Sequence, residues 1–133
     1  MKFIMESEIR ALRSEFKGSH EIINTSDGIE LFLRTWLPIK HSNVGILLFH
    51  GITAYSKPYE IIGVPFSKNG YAVYGLDIRG HGLSDGIRGD YPSMERLVAD
   101  LGHAIQLVKS KHDKLVILGH SLGVVTALIA SNN

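Results

Sequence analysis

Leu115-Val116-Ile117-Leu118-Gly119-His120-Ser121-Leu122-Gly123-Val124-Val125-Thr126-Ala127-Leu128-Ile129-Ala130 is the stretch that decides the fold. A run of strand length, Leu115 to Leu118, leads into Gly-x-Ser-x-Gly. An apolar run of helix length follows without a break. The five-residue pattern alone is common, and its setting between strand and helix makes it specific. A serine on so tight a strand-to-helix turn holds a strained backbone. Side chains two positions before and after it would collide with the strand and helix, so glycine is expected at 119 and 123. The turn lifts the hydroxyl clear of the sheet edge, and the helix start directs free N–H groups at any anion that forms there. Ser121 is thus expected to be a nucleophile, with the backbone N–H of Leu122 as one oxyanion donor.

Upstream, Gly45-Ile46-Leu47-Leu48-Phe49 is a continuous apolar run, as expected of a strand buried on both faces. His50-Gly51-Ile52 closes it. The loop after such a strand supplies the second oxyanion donor, and the N–H of Ile52 is expected to fill that role. His50 is expected to hydrogen-bond the loop rather than serve as a base. Residues 58–69 read as a helix weakened by Gly63 and Pro65. Tyr71 to Leu76 reads as a strand, Asp77 to Asp90 as a Gly-rich loop, and Ser93 to Lys111 as a helix capped by Ser93. Leu115 to Leu118 is expected to be buried. The helix from Leu122 to Ala130, apolar nearly all round, is expected to be buried too.

Toward the N-terminus, His20–Thr25 and Ile29–Leu37 flank Ser26-Asp27-Gly28, a strong hairpin signal. Ile29, Leu31 and Leu33 are expected on the more apolar face of the second strand. Residues 4–16 show helical spacing through Met5, Ile9, Leu12 and Phe16, with Glu and Arg on the other side. The predicted order is a helix over residues 1–17, a hairpin, then β-α-β-α-β-α. Such alternation implies an α/β domain with a mostly parallel sheet and helices on both faces.

The 133 residues suit one domain, 1–133, with net charge +1 and 20% charged residues. That balance points to no nucleic-acid partner. There is no cysteine, which removes disulfides, thiolate metal sites and a cysteine nucleophile. No cofactor or metal is expected: Gly80-His81-Gly82 lacks the third glycine of a dinucleotide loop, and no metal-ligand spacing occurs. No apolar stretch reaches the length of a membrane span, and the N-terminus lacks a signal peptide, so a cytoplasmic location is expected.

Several of these segments together resemble the monoacylglycerol lipase and lysophospholipase branch of the α/β-hydrolase superfamily, of the serine aminopeptidase S33 type. The segments are His50-Gly51 with Tyr59-Glu60, Asp77-Ile78-Arg79-Gly80-His81-Gly82-Leu83-Ser84-Asp85-Gly86, Arg88-Gly89 with Ser93 and Asp100, and Gly119 to Gly123. The resemblance implies the N-terminal part of an α/β-hydrolase fold acting on a small acyl ester. It makes Ser121 the nucleophile, the Ile52 and Leu122 amides the oxyanion hole, and residues 77–86 a structural loop that includes Arg79 and His81.

The family takes its triad acid and histidine from later strands. All seven histidines here precede Ser121. The chain is therefore expected to be inactive by itself, as a truncated domain of a serine ester hydrolase. The alternative is a non-catalytic remnant that binds a partner. The resemblance also implies an unpaired edge at residues 114–119, a template for self-association.

Overall fold

The computed structural model describes residues 6–51 and 55–132. Its elements are α1 (Glu6–Glu15), β1 (His20–Asn24), β2 (Glu30–Trp36), β3 (Val44–Phe49), a 3-10 turn (Lys57–Tyr59), α2 (Glu60–Lys68), β4 (Ala72–Leu76), α3 (Met94–Lys111), β5 (Lys114–Gly119) and α4 (Gly123–Ser131). The strands form one sheet in the order β1-β2-β4-β3-β5. The hairpin β1–β2 is antiparallel and joins β4 antiparallel, while β3 pairs in parallel with both β4 and β5. This is the expected hairpin followed by an alternating parallel unit.

Helices cover both faces. Leu47, Phe49, Leu31, Leu33, Tyr74 and Leu76 pack with Leu101, Ala104 and Val108 of α3 and Ala130 of α4. On the opposite face Ile46, Leu48 and Val73 meet Trp36, Tyr59 and Ile62. Residue parity along each strand assigns the side chains to these two layers. Helix α2 forms despite its internal Pro65. Gly63 lets it settle on Trp36, since a Cβ there would lie 2.2 Å from the indole. Ser93 caps α3 by accepting from the Arg96 N–H at 3.1 Å.

Four expectations need correction. Strand β2 has no polar face, because residues 31–35 are all buried: Phe16 stacks edge-on against Phe32 at 5.1 Å and covers the second side. In α1 the buried pair is Ile9 and Arg13, whereas Leu12 is 48% exposed. Arg13 is drawn inward by Asp85, at 2.9 Å, and Glu30, at 2.7 Å. Strand β5 is half exposed rather than buried, because among the described residues only β3 pairs with it. Helix α4 likewise presents Val124, Val125 and Leu128 to solvent. Met5, expected on the same helical face, lies outside the described residues. No helix among the described residues is long and apolar enough to cross a membrane.

Candidate active site

Strand β5 ends at Gly119 and α4 begins at Gly123, leaving three residues to reverse the chain. Ser121, at φ 58°, is the only non-glycine residue with positive φ among those described. A non-glycine residue in that region is held there by its surroundings. The Gly123 N–H donates to the His120 carbonyl at 2.9 Å and the Val124 N–H to the Ser121 carbonyl at 3.0 Å, closing the turn. The His120 N–H reaches back to the Phe49 carbonyl at 3.3 Å, which ties the turn to β3.

Both flanking glycines are required by close approach. A Cβ at Gly119 would lie 2.2 Å from the Gly123 carbonyl oxygen, and one at Gly123 would lie 2.2 Å from the Phe49 carbonyl oxygen. The segment after β3 also presses on the turn. A Cβ at Gly51 would come within 3.3 Å of the Ser121 Cβ and 3.7 Å of the Leu122 nitrogen. Ser121, Leu122 and Gly51 therefore converge at the C-terminal ends of β3 and β5. Ile52, the expected second oxyanion donor, lies outside the described residues.

His50 adjoins this convergence and is 3% exposed. Its Nε2 accepts from the Ile78 N–H at 3.0 Å, so Nδ1 carries the proton and donates to the Gly51 carbonyl at 2.7 Å. Burial holds its pKa below the ordinary histidine value. With both ring nitrogens engaged, His50 ties the loop after β3 to the loop after β4 and has no lone pair free for a base. The His120 ring turns to the Tyr59 hydroxyl, at 3.1 Å from Nδ1. His112 is spent between the Ser42 carbonyl, at 2.7 Å, and the Tyr74 hydroxyl, at 2.6 Å.

The loop over residues 77–90 is held by buried charge. Arg79 grips the fully buried Asp100 through Nε at 2.8 Å and a second nitrogen at 2.9 Å. It also grips Asp27 in the hairpin turn at 2.8 and 3.0 Å. Asp77 receives the N–H groups of Ser56, at 2.6 Å, and Leu83, at 3.0 Å. Sequence reasoning placed Arg79 and Asp100 in motifs but did not link them to Asp27. The pairing joins residues far apart in the chain, and no local pattern announces it.

A family model described as serine aminopeptidase, S33, matches residues 40–132. The chain belongs to that family. It is an esterase- and lipase-like family of α/β hydrolases. The S33 chain is 39% identical over 107 residues to an uncharacterized abhydrolase domain-containing protein of Dictyostelium discoideum, covering 78% of this chain and 11% of that protein. It is 30% identical over 98 residues to a monoacylglycerol lipase of Mycolicibacterium smegmatis, covering 72% of this chain and 35% of that enzyme. Among solved structures, an esterase from Exiguobacterium antarcticum aligns with TM-score 0.71 and 25% identity over 86% of this chain and 40% of its own. The S33 chain therefore spans 35% or less of these two curated relatives.

Proposed function

We propose that this chain supplies the nucleophile and oxyanion side of a serine ester hydrolase whose substrate is a small acyl ester of monoacylglycerol or lysophospholipid type. Ser121 attacks the ester carbonyl, the Leu122 and Ile52 amides hold the oxyanion, and water then releases the acyl group. The single observation that carries this reading is the positive φ of Ser121 between two glycines that tolerate no side chain. A strained serine turn at the head of a helix serves acyl transfer and has no evident use in packing. The similarity to a monoacylglycerol lipase supports the substrate class.

Among the described residues no histidine is hydrogen-bonded to Ser121, and on this reading the base comes from outside them. Loss of the base from a serine triad costs about 10⁶ in turnover. The chain alone is expected to leave p-nitrophenyl butyrate at its background hydrolysis rate. Fusing residues 1–132 to the C-terminal part of the M. smegmatis monoacylglycerol lipase is expected to restore turnover that Ser121→Ala abolishes. Brisk hydrolysis by the chain alone would end the claim of inactivity. A folded, active fusion indifferent to Ser121→Ala would end the claim for the nucleophile.

The exposed apolar face favours a second reading, in which the chain acts as a binding body. Val116 on β5, at 46%, and Val124, Val125 and Leu128 on α4, at 48%, 51% and 61%, stand open to solvent beside the unpaired edge of β5. Such an edge pairs with another strand when one is offered. Concentration-dependent dimers or larger species are expected on sizing, and Val116→Lys is expected to shift them toward monomer. A monomer at every concentration tested would count against this face as an interface.

A further inference from the structure

A cavity of about 700 Å³ lies between α1 and the loop after β4, and no residue of the serine turn lines it. Its wall is largely apolar, with Ile9, Leu12 and Phe16 from the N-terminal segment facing Leu83. Arg34 and Arg88 open onto the same space.

Arg34 is 9% exposed. Its guanidinium carbon sits 4.7 Å from the Phe16 ring centre and 5.2 Å from that of Phe32. Its Nε donates to the Ser56 hydroxyl at 3.2 Å. Arg88 donates to the carbonyls of Gly82, at 2.9 Å, and of Ser84 and Gly86. Burial holds the pKa of Arg88 below the ordinary arginine value. Arg34 is buried and Arg88 half-buried, and among the described residues neither is in an ion pair, whereas the buried Arg13 and Arg79 each hold two carboxylates. Buried cations are normally paired, because desolvation disfavours the free charge. Two guanidinium groups without counter-ions at one apolar cavity describe a receptor for an anionic head on a hydrocarbon tail.

We propose that this cavity binds a single-chain amphiphile with a carboxylate head, a free fatty acid, with the head between Arg34 and Arg88 and the tail against Ile9, Leu12 and Phe16. Paired N–H donors on a planar fork suit a carboxylate. The volume is within the ordinary range for small-ligand sites. Residues 6–16, which supply Ile9, Leu12 and Phe16 to the wall, lie outside the stretch matched by the family model. The proposal does not rest on the esterase reading, and it survives if Ser121 proves inert.

The test is calorimetric titration of the full chain with dodecanoate below its micelle-forming concentration. Saturable binding at one site is expected. Dodecanol, with the tail but no charge, and acetate, with the head but no tail, are expected to bind at least about tenfold more weakly, the ratio that one lost charge-assisted hydrogen bond produces. Arg88→Gln is expected to lower dodecanoate affinity by about tenfold. Leu12→Asp, at a half-exposed position where the fold tolerates charge, is expected to do the same with the melting temperature unchanged. Equal binding of dodecanol or dodecyltrimethylammonium would overturn the proposal in favour of a non-selective apolar patch. Tight binding of inorganic phosphate would overturn it in favour of a free-anion site. No binding of dodecanoate, or binding unaltered in both variants, would also overturn it.

Discussion

Asp100→Ala is expected to destabilise the chain by about 3–5 kcal/mol, the cost of removing one partner from a buried ion pair. Asp100 has no solvent exposure, and Arg79 is 5% exposed. Two hydrogen bonds of 2.8 and 2.9 Å join them. The Asp100 side chain, and after it Asp27, raises the pKa of Arg79. Arginine stays protonated in proteins with or without a partner, so the charge remains when Asp100 is lost. Arg79 keeps Asp27, but the end that faced α3 is left dry and unpaired. A change of this size is a large fraction of the about 5–15 kcal/mol that holds a domain together. The loop carrying Asp77 and His81 hangs from Arg79, so it loses its anchor to α3 as well. Urea unfolding of the variant beside the parent measures the difference. Asp27→Ala, whose carboxyl is more exposed, is expected to cost less. A loss below about 1 kcal/mol for Asp100→Ala, the range of a surface pair, would refute the role given to this fork.

The serine turn yields two substitutions of opposite sign. Gly123→Ala places a methyl group 2.2 Å from the Phe49 carbonyl oxygen and 2.9 Å from that of His50. Both are backbone atoms of β3 and its exit, held by pairing on two sides. Neither yields as a flexible side chain does. The expected cost lies at or above the top of the range of about 1–3 kcal/mol for overpacking. Ser121→Gly removes the side chain that makes φ 58° unfavourable. Relief of about 1–2 kcal/mol is set against the greater freedom of glycine in the unfolded chain, about 0.4–1 kcal/mol. A net gain of about 1 kcal/mol is expected, with loss of any acyl-transfer chemistry. Thermal unfolding of both variants decides the matter. Stabilisation by Gly123→Ala, or marked destabilisation by Ser121→Gly, would show that the turn is not strained as described.

Together the two substitutions separate what the turn does for the fold from what it does for the hydroxyl. Glycine at 119 and 123 serves the packing of β5, α4 and β3. Serine at 121, at positive φ, works against stability, as the proposed nucleophile role would require of it.

Much of this architecture is written in local pattern. The run from Leu115 to Ala130 is strand, turn and helix in both sequence and structure. Asp27-Gly28 marks a true hairpin, Ser93 a true cap, and the apolar run ending at Phe49 an interior strand. Each depends on backbone sterics and on neighbours a few residues away, and these a sequence displays directly. The spacing of Gly119, Ser121 and Gly123 is legible for the same reason.

Other features were decided only when distant segments met. Periodicity put Leu12 inside and Arg13 outside, yet Arg13 is buried because Asp85 and Glu30 arrive from two other elements to pair with it. Helix α4 is apolar all round but covered on one side, because β5 lies at the margin of the sheet among the described residues. The fork of Arg79 between Asp27 and Asp100, the engagement of both His50 nitrogens, and the meeting of Arg34 and Arg88 at the α1 cavity are likewise products of tertiary contact. Sequence determined the order of elements and the strained serine. Tertiary structure alone decided which charges are paired, since the free energy of a buried charge depends on whatever the fold brings beside it and not on its neighbours in the chain.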